Sequence, residues 1–176
     1  QGFVGDAEDD VAVALEQAAE GADLMITSGG VSAGAYDPVK AVLARSGAVW
    51  FGKVAMQPGM PQGVGRYGPD QVPILTLPGN PVSSYISFQM FVLPALRKMM
   101  GLLPYARPIS EARVTRAFSS PPGRRQFVRA TYDARQVTPV GGHGSHLIGD
   151  LATANALIVV PEDTTSVMAG EQVQVL

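Results

Sequence analysis

The 176-residue sequence predicts an α/β module, a three-layer doubly wound sheet, followed by a small all-β barrel. Three observations carry that reading. Up to Gly101, helical stripes of apolar residues alternate with short apolar runs, and glycine-rich turns follow the runs. From Glu111 onward the helical period gives way to short β-type runs, separated by Pro121-Pro122-Gly123, Gly141-Gly142 and Pro161. Between the two lies a stretch with Pro104 and Pro108, so residues 1–101 and 110–176 are expected as separate modules joined by a linker at 102–109.

Each element has a local cause. Asp6 is a capping residue, Glu8 and Asp9 favour a first helical turn, and Val11, Ala14, Leu15 and Ala18 form its apolar stripe until Gly21. Asp23 to Thr27 reads as a buried parallel strand running into Ser28-Gly29-Gly30. Asp37-Pro38 opens a second helix with Val39, Val42 and Leu43 inward, and Gly47 closes it. Residues 48–55 form the next strand, 57–69 a glycine- and proline-rich loop, and 72–77 another strand. A turn at Pro78-Gly79-Asn80-Pro81 then feeds a long helix to Met100, kinked or broken at Pro94. In the second half Val114, Phe118, Phe127, Val128, Tyr132, Val137, Leu157 to Val160 and Val173 to Leu176 mark the strands.

Composition removes whole classes of function. Thirteen Lys plus Arg against fifteen Asp plus Glu, with a pI near 5.6, lack the basic excess of a nucleic-acid binder. The absence of cysteine excludes disulfides, iron–sulfur clusters, thiolate zinc and a cysteine nucleophile. The most apolar stretch, Tyr85 to Leu96, is interrupted by Ser87 and Gln89 and falls short of the ~20 apolar residues of a membrane span. No signal peptide is visible, and cytoplasm is the default expectation for the compartment. The chain starts at Gln1 without a Met and is expected to be a piece of something longer.

Loops therefore carry the candidate chemistry. Ser28, Gly29, Gly30, Ser32 and Gly34 lie where a strand ends and a helix begins, where open α/β sheets bind ligands; the stretch is either an anion loop or an ordinary flexible turn. It is neither a P-loop nor a dinucleotide fingerprint. Asp37 is a helix cap, a carboxylate ligand for Mg²⁺, or both. Pro78, Gly79, Asn80 and Pro81 repeat the strand, glycine turn and helix arrangement, either as a rigid anion turn or as a tight turn with Asn80 at the N-cap. Ser83, one turn on, offers a hydroxyl. By alternation Arg125 and Arg129 share a face near Arg124, as an oxyanion clamp or as a solvated surface. His143 and His146 have no third nitrogen or sulfur ligand nearby and read as loop histidines, not a metal site.

Ser28 to Asp37, Val54-Ala55-Met56-Gln57-Pro58-Gly59-Met60-Pro61 and Leu77-Pro78-Gly79-Asn80-Pro81-Val82-Ser83 resemble the molybdopterin molybdenumtransferase family, which includes MoeA and the gephyrin E domain. Gly123 to Arg129, Gly144 to Ile148 and Ala154 to Leu157 resemble the barrel of the same family, so the likeness runs over nearly the whole chain. The resemblance implies the last two of four domains of a homodimeric subunit: a molybdopterin-binding α/β domain, here without its first strand, and a C-terminal barrel. It implies insertion of molybdate into adenylylated molybdopterin with release of AMP and with Mg²⁺ at the pyrophosphate, and the molybdopterin adenylyltransferase as a partner. By motif position the glycine loop and Asp37 would serve phosphate and metal, while Ser83, Arg129 and Ser145 would line the molybdate pocket.

The sequence also departs from the family. Gln57 and Met60 stand where its members carry lysines, which removes positive charge from the expected oxyanion site. The Thr-Gly-Asp/Asn-Glu strand of the family is not in the sequence. A non-catalytic molybdopterin-binding or scaffold module is the alternative function. The single-domain adenylyltransferases and the competence-damage protein share the glycine loop but lack the barrel and the Gln-Pro-Gly-Met-Pro turn.

Overall fold

A computed structural model describes residues 5, 7–31, 37–141 and 148–176. The first elements are α1 (Glu8–Ala19), β1 (Met25–Ser28), α2 (Pro38–Arg45), β2 (Val49–Lys53), β3 (Met56–Gln57), β4 (Pro61–Tyr67) and β5 (Val72–Leu77). After them come α3 (Pro81–Ser87), a π-helical stretch (Phe88–Val92), α4 (Leu93–Met99), β6 (Ser110–Val114), β7 (Phe118–Ser119), β8 (Arg125–Tyr132) and β9 (Gln136–Pro139). The chain closes with α5 (Ile148–Thr153), β10 (Ala156–Val160), β11 (Ser166–Val167) and β12 (Gln172–Val175). Spatially these form two compact units, Gln1–Val54 with Pro61–Asn80, and Ala55–Met60 with Pro81–Leu176. The grouping is not linear, whereas the linker expected at 102–109 is a linear division.

In the first unit, the acids Glu8, Asp9 and Asp10 occupy the first turn of α1, where the helix dipole favours them. Its N-cap is Ala7, without a side-chain hydrogen bond, and Asp6 lies outside the described residues. Val11, Leu15 and Ala19 are the buried stripe; Ala18, expected inside, is exposed. The sheet order is β1-β5-β4-β2, with β1 parallel to β5 and the remaining pairs antiparallel, so the sheet is mixed. Met25, Val49, Val72 and Ile74 of the sheet pack with Val11, Leu15, Val42 and Leu43 of the helices.

β4 corrects the loop expected at 57–69. The strand is hidden in the sequence because Gly63 and Gly65 replace the alternating apolar residues by which strands are recognised. The neighbours leave those positions no room. A Cβ at Gly65 would lie 2.6 Å from the Val49 Cα, and one at Gly63 2.8 Å from the Phe51 ring. The strand expected over 48–55 ends at Lys53, and Met56–Gln57 pairs instead with β8, in parallel.

In the second unit the long helix is three segments. Leu93 N–H donates to the Phe88 carbonyl, five residues back, so the turn widens just before Pro94, which has no N–H to give. Five strands then close a barrel in the ring β10-β12-β6-β9-β8, completed by the β10–β8 pairing, with β3 added to β8 and a separate β7–β11 pair. Ala112, Val114, Ala130, Val137, Ile158, Val160 and Val175 fill it. Asn155 brackets the end of β8, accepting from Tyr132 N–H at 2.7 Å and donating to its carbonyl at 3.0 Å.

The β8–β9 turn is held by Asp133, whose carboxylate accepts from the backbone of Gln136 at 2.8 Å and of Arg135 at 3.0 Å. Those bonds hold its carboxyl below the usual carboxylate range. Between them Ala134 takes φ 72°, a region that costs an L-residue roughly 1–2 kcal/mol. Ala134→Gly is therefore expected to stabilise the protein by about 0.5–1 kcal/mol after the extra chain entropy of glycine is subtracted. A rise in the urea midpoint at unchanged slope is the measurement; a fall would mean the turn does not bear the strain its dihedral implies.

Candidate functional site

β1 and β5 are parallel neighbours, with Ser28 opposite Leu77, so the loops that follow them leave the same end of the sheet. Gly29 N–H donates to the Leu77 carbonyl at 2.9 Å, and a Cβ on Gly79 would lie 3.5 Å from the Gly29 Cα. Two glycine turns nearly fifty residues apart in sequence thus lie side by side. Gly29 and Gly30 take φ 95° and 87°, where an L side chain is disfavoured. Thr27 Oγ1 ties the turn down by donating to the Gly29 carbonyl at 3.2 Å. Ser28 is exposed, Pro78 is buried, and Ser32 and Gly34 lie outside the described residues.

Asp37 caps α2. Its side chain accepts from Lys40 N–H at 3.2 Å, and Pro38 takes the first helical turn. Asn80 does not make the N-cap that one of its two readings gives it: its Oδ1 is buried and accepts no hydrogen bond. Pro81 nonetheless starts α3, since its fixed φ suits the first helical position.

In the second unit, Gly59 sits at φ 92° above α3. A Cβ there would lie 2.7 Å from Ser87 Oγ and 3.4 Å from the Ser83 carbonyl, which ties the Gln57-Pro58-Gly59-Met60 turn to the helix carrying Ser83. Ser83 and Ser87 are both buried.

Arg129 is nine-tenths buried in the middle of β8, and its guanidinium meets Asp150 of α5 at 3.9 Å. Arg125 does not join it in a clamp. It stands at the exposed start of the strand and pairs with Glu162 at 3.3 Å, so the two arginines have different carboxylates. Ser145, His143 and His146 lie outside the described residues. Asp150 was not legible as a site residue, because nothing in the sequence ties it to a strand residue twenty-one positions earlier. Among the described residues no group of three His, Asp or Glu side chains gathers to hold a metal ion. Nor is any helix among them long and apolar enough to cross a membrane.

Residues 1–98 match the family described as a probable molybdopterin binding domain, and residues 111–176 match the MoeA C-terminal region, domain IV. Molybdopterin molybdenumtransferase 2 of Mycobacterium tuberculosis is 51% identical over 180 residues, covering 96% of this chain and 44% of that protein. Molybdopterin molybdenumtransferase of Haemophilus influenzae is 36% identical, covering 99% and 44%. Among solved structures, a molybdopterin biosynthesis MoeA protein from Pyrococcus horikoshii superposes with a TM-score of 0.82 at 27% identity, over 99% of this chain and 42% of its own. The chain therefore spans less than half the length of these relatives.

Proposed function

We propose that this chain, which belongs to the molybdopterin molybdenumtransferase family, supplies part of an enzyme that inserts molybdate into adenylylated molybdopterin and releases AMP. The observation that carries the reading is the side-by-side placement of two glycine turns at the carboxyl end of the β1–β5 pair. Backbone N–H groups there can approach a phosphate without an intervening side chain, and α2 adds its positive end. Asp37 fits Mg²⁺ of the kind that arrives with its substrate, because Mg²⁺ commonly takes one or two carboxylates plus phosphate oxygens in place of a full protein cage. The ion would offset phosphate charge; Asp37 would hold it while still capping α2.

Ser83, Arg129 and Ser145 are assigned to molybdate by motif position, the glycine loop and Pro78 to Pro81 to molybdopterin. We further assign a homodimer, a cytoplasmic setting and the molybdopterin adenylyltransferase as partner. The linear division into 1–101, 102–109 and 110–176 is kept as the domain reading, supported by family matches that stop at residue 98 and resume at 111. Gln57 and Met60 favour the second reading, a module that binds molybdopterin without turnover.

Two measurements decide between them. Molybdopterin binding by equilibrium dialysis is expected for this chain, with no AMP release from adenylylated molybdopterin when the chain acts alone; absence of binding would sink both readings. AMP release by a protein carrying this chain and the rest of the relatives' length supports the enzyme, and binding without release supports the module. In that longer protein Asp37→Asn keeps the cap, since Asn caps about as well as Asp, so stability should move by less than about 0.5 kcal/mol. Mg²⁺-dependent AMP release should fall at least about tenfold. Unchanged release would leave Asp37 a cap and nothing more.

A further inference from the structure

A guanidinium cannot shed its proton, so Arg129, only 5% exposed, needs negative charge close by. Asp150 supplies it from α5 at 3.9 Å, within ion-pair range but beyond the length of a hydrogen bond. The two groups are unequal. Arg129 is fixed in a central strand, in register with Leu157 of β10, whereas the Asp150 side chain is one-third exposed and can turn toward water. The seat for the carboxylate depends on a third residue. Gly141 takes φ 67°, and a Cβ there would overlap the Asp150 carboxylate, with Asp150 Cβ only 3.0 Å away. A glycine at this place is what lets the acid reach the arginine.

We propose that Asp150 is a positioning residue that stands in for the oxyanion, holding the Arg129 charge while the pocket is empty and yielding it when a tetrahedral dianion arrives. The proposal rests on the reading of Arg129 as part of the molybdate pocket. Its consequence is that the carboxylate and the incoming dianion compete for one cation, so the acid lowers oxyanion affinity. Removing the acid's charge therefore tightens binding, the opposite of what damage to the site would do.

The test is isothermal titration of molybdate into the whole chain, in low-salt buffer free of sulfate and phosphate, for the parent and for Asp150→Asn, Asp150→Glu and Arg129→Ala. Asp150→Asn should bind about three- to tenfold more tightly, between the effects of an exposed and a buried ion pair. Asp150→Glu restores the charge and should stay near the parent. Arg129→Ala should bind at least about tenfold more weakly. If Arg129→Ala weakens binding but Asp150→Asn leaves it equal or weaker, the stand-in role is wrong and the pocket stands. Parental affinity in Arg129→Ala, or no molybdate binding in any variant, removes the pocket and the proposal together. Should Asp150→Asn fail to fold, Gly141→Ala unseats the same carboxylate and must show the same tightening; without it the proposal is overturned.

Discussion

Replacing Gly30 with alanine is expected to destabilise the protein by about 2–5 kcal/mol, through two independent costs. The first is conformational: at φ 87° a side chain is strained wherever it points, by roughly 1–2 kcal/mol. The second is spatial. The added methyl would sit 2.6 Å from both Cβ and Cγ1 of Val39, and Gly30 is itself buried, so neither group has an easy retreat. Forcing a methyl into a packed site typically costs about 1–3 kcal/mol. The damage should travel, because Val39 belongs to the first turn of α2, beside the Asp37 cap. A double-mutant cycle with Val39→Ala isolates part of the spatial cost: trimming Val39 relieves the Cγ1 overlap but leaves the Cβ overlap and the strain, so the pair should be less than additive by about 1 kcal/mol. Urea unfolding of the four proteins measures it. A loss below about 0.5 kcal/mol for Gly30→Ala would mean the turn relaxes freely, leaving backbone access to a ligand as the reason for glycine there.

What the sequence made legible was whatever has a local cause. The limits of α2 follow from Asp37, Pro38 and Gly47, all within one turn of its ends, and the structure puts the helix between them. The barrel strands followed from β-branched and aromatic runs between proline and glycine breaks. β4 was not legible, because its glycines answer to Phe51, Thr76 and Val49, residues on the neighbouring strands. The same limit governs the site. Each glycine turn could be named from its own residues, but their meeting depends on β1 choosing β5 as neighbour, a pairing of residues nearly fifty positions apart. Arg125 and Arg129 looked equivalent by alternation. Their difference lies in position along β8 and in which acid reaches them, Glu162 or Asp150.

Arg129→Ala is expected to have the largest effect on ligand binding, lowering molybdate affinity by roughly ten- to a hundredfold. A tetrahedral dianion wants several hydrogen-bond donors and at least one fixed positive charge, and a guanidinium supplies both. With Gln57 and Met60 unable to contribute charge, no lysine of that turn shares the burden. Stability should fall as well, by about 1–3 kcal/mol. That is less than a fully buried pair would give, because the Asp150 carboxylate left behind is one-third exposed and can be hydrated. Arg129→Lys keeps the charge but loses the fork, so it should fall between parent and alanine in affinity. Titrating molybdate and molybdopterin separately distinguishes a lost contact from a displaced element. A loss confined to molybdate places Arg129 at the oxyanion, equal losses for both ligands mean the barrel strand has shifted, and an undiminished molybdate affinity moves the pocket away from β8.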